Sequence, residues 1–558
     1  MTTQPTDTLP QARDAAARAP IDLRRFPWMR RFALDYVYDF AALAPFFAGD
    51  PADRPAWDAA IDRVRAHPRA VGPIAEVIGA QQARRDAPAA ALEAARSLAD
   101  PRTVAVVTGQ QAGLFGGPLF TLLKALTAVK LAERVSREHQ TPAVAVFWID
   151  AEDHDWEEVR SCAVLDETLT PRAIALPSRA PGDHGPVARA ALDASVTAAL
   201  DELRAGLPAT EFRDALLEQL ASAYAPGRGM AEAFGRWLEQ VLGSRGLVVY
   251  DCSDPRAKAL AADVFVRELS SPGDTSRLAA RAGDALRARG YHAQVEPASD
   301  HVALFHLDPG TGARRAVHYE AKRFLVDGVP VEAAALLREA AEQPARFSPN
   351  VLLRPIVQDT LFPTICYVAG PNELAYLGQL KDIYAHFGVP MPLMFPRASA
   401  TLVDSAALRF LGKYGVALET LQPQDEAGLN ALLASQIPPV VEETFSAAGR
   451  AIDAEMTRVV EAVPAIDPTL QGAARSTLGR MQHDLQTLHG KMIQAAKRRD
   501  DTLRRQYIRT RALAFPAGHP QERAVGFVSF LNQYGPALID RLDEELPLDF
   551  GHHWLIAV

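Results

Sequence analysis

Residues Thr103 to Asp155 read TVAVVTGQQAGLFGGPLFTLLKALTAVKLAERVSREHQTPAVAVFWIDAEDHD, and this stretch restricts the fold most tightly. Val104–Val107 is too short and too β-branched for a helix of its own. Gly109, Gly113, Gly116 and Gly117 follow it and allow the backbone to turn back and to approach a ligand closely. Pro118 suits a first helical turn, where its missing N–H has no intrahelical partner. Leu119, Leu122, Leu123, Leu126, Val129 and Leu131 then supply an apolar helical face, and Ala143–Ile149 returns as a second buried strand. Such a strand–loop–helix–strand unit predicts parallel strands joined by a right-handed crossover. Ligands of open parallel sheets bind beyond the carboxyl ends of the strands, where the glycine bend and Glu152-Asp153-His154-Asp155 both fall.

At 558 residues the chain has room for roughly three or four domain-sized units. Its apolar and charged fractions, 48% and 23%, are those of an ordinary soluble protein. A net charge of −9 argues against general nucleic-acid binding, which needs a concentrated basic surface. No run reaches the apolar length of a membrane span, so no membrane partner is expected. Cys162, Cys252 and Cys366 are odd in number and far apart, which predicts reduced thiols in a cytoplasm.

Strand-like runs alternate with helical stretches from about 103 to 400, at Val104–Val107, Val144–Ile149, Leu247–Tyr250, Val302–Leu307, Thr364–Val368 and Pro392–Phe395. The pattern predicts an α/β fold, a Rossmann-like parallel-sheet core with helical insertions, one of them at about 165–245. Residues 1–100 read as an N-terminal helical segment packed on a core spanning 101–420. Val441, Phe445, Ala448, Ile452, Met456, Val459 and Val463 are then spaced by threes and fours, as in a coiled-coil seam. Pro464–Pro468 breaks the seam, and Ala474, Leu478, Met481, Leu485, Leu488, Met492 and Ala495 resume it. This predicts an antiparallel helical hairpin within a coiled-coil domain at 421–515, with 516–558 returning to the core as a helical segment. A lone hairpin leaves apolar seam over, which a partner chain or its own core can cover.

The glycine bend is neither a Walker loop nor a GxGxxG fingerprint. Four glycines and two glutamines within nine positions still resemble an anion cradle more than a turn kept for packing. In that reading Gly109, Gly113, Gly116 and Gly117 bind a phosphate with Lys124, and Gln110 and Gln111 add polar contacts to substrate. Glu152, Asp153, His154 and Asp155 form the densest ionisable cluster, suited to a magnesium ion, an ammonium group or general-base work. A strand end meeting water is the plain alternative. Because neighbours on extended chain alternate sides, only two of the four share a pocket face, and Asp153 and His154 are the candidates. Residues 348–381 form a third cluster, with Arg354 set among apolar residues, Asn372 after a further strand, and Tyr376, Lys381 and Arg397 able to line the same edge. Arg suits bidentate recognition of carboxylate or phosphate, and a structural salt bridge is its commonest other fate. No second His or Cys stands at zinc-ligand spacing near Asp153.

The blocks TGQQAGLFGGPLFTLLK, PAVAVFWIDAEDHDWEEV, FSPNVLLRPIVQDTLFPTICYVAGPNELAYLGQLK, FGVPMPLMFPRAS and PQERAVGFVSFLNQYGPALIDRL, with DYVYDF before them, closely resemble the bacillithiol biosynthesis cysteine-adding enzymes. The likeness runs in order along nearly the whole chain. It implies a Rossmann-like core and a coiled-coil domain used for homodimerisation. It also implies a ligase that joins the carboxyl of L-cysteine to the amine of glucosaminyl malate. Those enzymes look distantly like nucleotidylyl transferases, which implies carboxylate activation by ATP with Mg2+. No HxGH or KMSKS signature occurs, so the resemblance carries whole motifs and no single catalytic residue. In the reaction it implies, Glu152 or Asp153 meets the cysteine ammonium or magnesium, and Arg354, Lys381 or Arg397 meets the malate carboxylates. His154 takes a proton from the attacking amine. Another amino-acid ligase or nucleotidylyl transferase on the same core with a different acceptor, and a coiled-coil dimer scaffold without activity, are the alternatives.

Overall fold

The computed structural model describes residues 18–180, 185–298, 300–436, 438–499 and 501–558. These form two compact units, one of residues 18–402 with 521–558 and one of residues 403–520.

The first unit is built on a sheet of five strands, β1 (Val104–Gln110), β2 (Ala143–Ile149), β3 (Val248–Asp251), β4 (Thr364–Ala369) and β5 (Leu393–Pro396). They lie in the order β5-β4-β1-β2-β3, and every neighbouring pair is parallel. Val104–Val107 and all of β4 are buried, as expected where helices cover both faces of a parallel sheet. The Leu119–Glu138 helix packs on β1 and β2, the Val71–Arg85 and Met230–Leu242 helices on β3, and the Arg54–Ala66 helix on β4. Arg85 and Glu239 form a buried bidentate pair between two of these helices, with both bonds at 2.8 Å. The N-terminal helices thus pack on the core sheet.

Five of the six expected strands belong to this sheet. The sixth does not. His301–Leu307 lies in a separate antiparallel sheet of five strands, in the order Val329–Val331, Arg323–Val326, Arg314–Glu320, His301–Leu307, Phe347–Pro349. Hairpins on one side of this strand, rather than a helical crossover, decide its membership. Among its described residues, the segment between β2 and β3 carries the short Trp156–Val159 helix, a hairpin of Ser161–Leu165 with Pro171–Ala175, and three longer α-helices, Ser195–Gly206, Arg213–Ala223 and Met230–Leu242.

The chain returns to this unit through residues 521–558. Gln521 clamps the Leu402 backbone, its Nε2 donating to the carbonyl at 2.9 Å and its Oε1 accepting from the N–H at 2.8 Å. The last strand, His552–Ala557, lies between Arg18–Asp22 and Ser399–Val403 in a three-stranded sheet.

The second unit begins near residue 403, ahead of the expected boundary at 420, because the Ser405–Tyr414 helix packs on the Asp501–Ala514 helix. Its long helices, Pro439–Ala462 and Leu470–Arg499, form an antiparallel hairpin, with Gln482 donating to Asp453 and His489 paired with Glu442. Val441, Phe445, Ile452, Met456, Leu478 and Leu485 turn inward as expected. Val459, Met481 and Leu488 do not, being 44%, 39% and 52% exposed. Val460 is buried in place of Val459, and His489 takes the inward position beside Phe445. A straight helix turns 3.6 residues per turn and drifts against a strict heptad, which moves the seam by one residue near each of these sites.

Candidate active site

Chain connections from β1 run towards β2, whereas those from β4 run towards β5, on the other side of the sheet. The carboxyl ends of β1 and β4 therefore flank the point at which the strand order reverses, where open parallel sheets bind ligands. A cleft of about 580 Å³ opens there. Gly109 and Gln110 reach it from β1, Tyr367 from β4, Gly370 from the turn after β4, and Phe305, Arg314 and Asn350 from the antiparallel insertion.

The cleft is rich in charge of both signs. Lys124, Arg314, Arg354, Arg397 and Arg523 line it together with Asp150, Asp153, Glu158 and Glu373. Lys124 is nearly inaccessible, and its Nζ lies 2.5 Å from Glu373 Oε2 while donating to the Gly109 carbonyl at 2.9 Å. Burial lowers the Lys124 ammonium from its ordinary value, and the Glu373 charge offsets part of that shift. Burial alone would raise Glu373, but Lys124 beside it holds its carboxyl below the usual range. Glu373 also caps its own helix, accepting from the Gly370 N–H at 2.6 Å, and it accepts from the Tyr367 hydroxyl at 3.0 Å.

Arg354 donates to Gln358 and to the Tyr376 hydroxyl, each at 3.1 Å, and lies over the rings of Trp148 and Tyr367. Arg397 lines the cleft, yet its guanidinium is tied to Glu522 by bonds of 2.9 and 2.6 Å. Both sequence readings of Arg397, cleft residue and salt-bridge partner, therefore hold. Arg523 is exposed above Phe120 and makes no ion pair among the described residues. Asn372 lines the rim and is exposed.

On the opposite wall, Gln111 Nε2 donates to Asp153 at 2.5 Å and to Glu158 at 3.0 Å, drawing the two carboxylates together. Asp150, which sequence reasoning passed over, also lines the cleft. Burial raises its carboxyl pKa, with Arg354 pulling the other way. Among the described residues its carboxylate has no ion-pair partner. The signal was present, since Asp150 directly follows a buried β strand at its carboxyl end, but the denser run after it drew the attention.

Several expected site residues lie elsewhere. Glu152 is buried in an ion pair with Lys258 and accepts from Ser348 at 2.9 Å, so it is a structural anchor between β2 and the insertion. His154 is outside the lining and half-exposed, with its backbone N–H on Asp153 at 2.7 Å. Lys381 starts the Lys381–Phe387 helix and is also outside the lining. Asp155 accepts from the Glu158 N–H at 3.1 Å as a helix cap.

The glycine bend divides. Gly109 faces the cleft, but Gly113, Gly116 and Gly117 are packed against protein. The Gly113, Gly116 and Gly117 N–H groups bond to Gln111, Gly113 and Leu114 carbonyls at 2.9, 3.1 and 3.1 Å. Tyr224 bridges the bend, accepting from Gly116 at 3.0 Å and donating to Gly113 at 3.1 Å. Those three glycines hold no anion cradle; Gly116 allows Phe527 and Trp237 to pack on the turn, where its Cβ would stand 2.3 Å from Phe527, while Gly113 and Gly117 lie against each other. The cysteines are buried free thiols, with Cys162 pushed up to about 12 by burial alone.

Comparison with known proteins agrees with this architecture. Residues 20–398 match the family model described as bacillithiol biosynthesis BshC, N-terminal Rossmann-like domain, and residues 400–557 match its C-terminal coiled-coil domain. A protein of Salinibacter ruber named "Putative cysteine ligase BshC" is 35% identical over 98% of this chain and 100% of its own length. Proteins of the same name from Chlorobaculum tepidum and Symbiobacterium thermophilum are 34% and 33% identical, over 85% and 83% of this chain and 86% and 85% of theirs. The chain belongs to the bacillithiol biosynthesis BshC family.

Proposed function

We propose that this member of the family is a cysteine ligase of bacillithiol biosynthesis, which joins L-cysteine to glucosaminyl malate through an amide bond with ATP-dependent activation. The observation that carries the reading is the cleft at the strand-order reversal, where Lys124, Arg314, Arg354, Arg397 and Arg523 converge with Asp150, Asp153, Glu158 and Glu373. The substrates, cysteine with one carboxylate and one ammonium and an acceptor with two carboxylates, match a cleft that offers both signs of charge.

Amide formation needs the cysteine carboxyl carbon bonded to a good leaving group, attack by the acceptor amine, and loss of one amine proton. ATP, when bound, supplies the activation. Its phosphates would be held by side chains, Lys124, Arg397 and Arg523, because the N–H groups of the glycine bend are already bonded. Asp153 and Glu158, brought together by Gln111, are the pair that would hold Mg2+, which commonly takes one or two carboxylates beside substrate phosphates. Asp150 takes the amine proton in this reading, since its raised pKa brings a carboxylate nearer the working pH of a general base. Arg354, fixed by Gln358 and Tyr376, pairs with a malate carboxylate. Such preorganised charge stabilises the developing anion without reorganisation.

The free buried thiols fit a reducing compartment such as the cytoplasm, and no helix of the described residues is long and apolar enough to cross a membrane. The outward Met481 and Leu488, seven residues apart on one helix, favour a homodimer through the hairpin. The reading is tested by incubating the protein with ATP, cysteine and glucosaminyl malate and seeking the thiol product by mass spectrometry. Turnover with another amine in its place would favour a ligase with a different acceptor, and no turnover with any amine would favour a scaffold.

A further inference from the structure

We propose that Asp300, His301 and His318 form a binding site for one divalent transition-metal ion of the zinc type, separate from the cleft. One ligand atom from each of these residues lies within 4.8 Å of the other two. Among the described residues this is the one such convergence of three His, Cys, Asp or Glu side chains.

Sheet register creates the cluster. His301 and His318 are direct partners across antiparallel strands, and their rings meet edge to face with centroids 4.5 Å apart. Asp300 is held to the same place by its carbonyl, which accepts from the Tyr319 N–H at 2.7 Å. Its carboxylate lies 2.9 Å from His318 Nδ1. Glu320, two residues beyond His318 on the same strand, is on the same face.

The donor set selects the ion. Two imidazoles and a carboxylate suit zinc, cobalt or nickel, whereas magnesium and calcium prefer oxygen ligands alone. Zinc with ligand bonds of about 2.0–2.2 Å needs its donors roughly 3.3 Å apart. The Asp300–His318 pair, at 2.9 Å, has to open by only about 0.4 Å to reach that spacing, and His301 is exposed, so its ring can rotate towards them. Three protein ligands leave a position open to water.

The consequence is mechanical. His301 and His318 lie on the two strands that also carry Phe305 and Arg314 to the cleft. Four residues of strand separate each histidine from its cleft residue, on the order of 14 Å. A bound ion would pin these strands at their far ends and fix the wall that presents Arg314.

The test uses the full chain, stripped with a chelator, then titrated with Co2+ followed by visible absorption and with Zn2+ followed by calorimetry. The proposal expects one tight equivalent, weakened at least about tenfold by the His301→Asn/His318→Asn double variant. Asp300→Asn should weaken it by a similar factor. Parent-like affinity in the double variant, or no saturable equivalent in the parent, overturns the proposal. If the double variant fails to fold by circular dichroism, His301→Asn alone decides, because that side chain is exposed and unneeded for packing.

Discussion

Lys124 and Glu373 meet at 2.5 Å across the reversal point of the sheet, one on the helix after β1 and the other on the helix after β4. The pair ties the two strand–turn–helix units on which the cleft stands. Lys124→Met should remove ligase activity and cost about 3 kcal/mol, the lower end for breaking a buried pair, because Glu373 keeps a quarter of its side chain exposed. Adding Glu373→Gln should recover part of that stability and none of the activity. Denaturant unfolding with product assay separates the effects; restored activity in the double variant would mean that Lys124 acts only as a strut.

Much of this fold could be read from residue order. Buried β-branched runs and glycine-rich turns marked all five core strands, because a parallel sheet covered on both faces imposes continuous apolarity. Part of the cleft was legible too: Gly109, Gln110, Gln111, Lys124, Asp153, Arg354, Asn372 and Arg397 all line it. What failed was side-chain direction at turns. Glu152 and Asp153 are adjacent, yet the chain bends between 150 and 153 and is pinned by Ala188 N–H on Ala151 and Val187 N–H on Asp153, each at 2.8 Å. That bend sends Glu152 to Lys258 and Asp153 to the cleft. The destiny of Gly116 was hidden for a related reason, since Phe527 and Tyr224 arrive from far along the chain.

Gly116 should behave as a packing residue. Its φ of +95° is unfavourable for any side chain, and a Cβ would stand 2.3 Å from Phe527 and 2.9 Å from Trp237 Nε1. Gly116→Ala should cost more than about 2 kcal/mol through strain and overpacking. Activity per folded molecule should stay within about twofold of the parent, measured after correcting for the folded fraction. A folded variant that has lost ligase activity would return the bend to the ligand site.

The acidic run should separate into structural and catalytic members. Asp150→Asn should lower kcat/KM by at least about a hundredfold, the scale of general acid–base catalysis, and Asp153→Asn should lower it by removing one of the two carboxylates that Gln111 brings together, each with little change in thermal midpoint. Glu152→Gln should instead lower stability by leaving Lys258 buried without its counter-charge. His154→Ala should do neither. The acid limb of the kcat/KM profile should fall at a pH above the ordinary aspartate value, since burial raises Asp150. An unshifted limb would remove Asp150 as the base.

The hairpin makes a prediction about assembly. Met481 and Leu488 are 39% and 52% exposed on one helical stripe. Leu488→Glu should convert a dimer to monomer by sedimentation, because a charge at an apolar interface costs several kcal/mol. Helix content should not change, since Leu488 does not contribute to the intramolecular seam. A parent chain that sediments as a monomer, or a variant that stays dimeric, would place any interface elsewhere.

His553 should make the core acid-sensitive. Its ring is fixed between Ser399 Oγ at 2.7 Å and Thr401 Oγ1 at 2.8 Å, close to the Arg397–Glu522 pair. Burial lowers its pKa from 6.5 to about 4, with Glu522 opposing and Arg397 assisting. The unfolded chain therefore binds the proton more readily, so the contribution of His553 is fully present above pH 6.5 and is lost as pH falls towards 4. Between pH 7 and pH 5 the loss is on the order of 2 kcal/mol. Glu522 acts in the same sense at lower pH: Arg397 overcomes its burial and holds it at about 2 instead of 4.5, so its contribution is present above 4.5 and disappears as pH falls through 2. His553→Gln keeps a donor and an acceptor but cannot titrate. Urea unfolding at pH 7 and pH 5 should show the difference in the parent and a much smaller one in the variant. Equal pH dependence in both would locate the acid sensitivity in other groups.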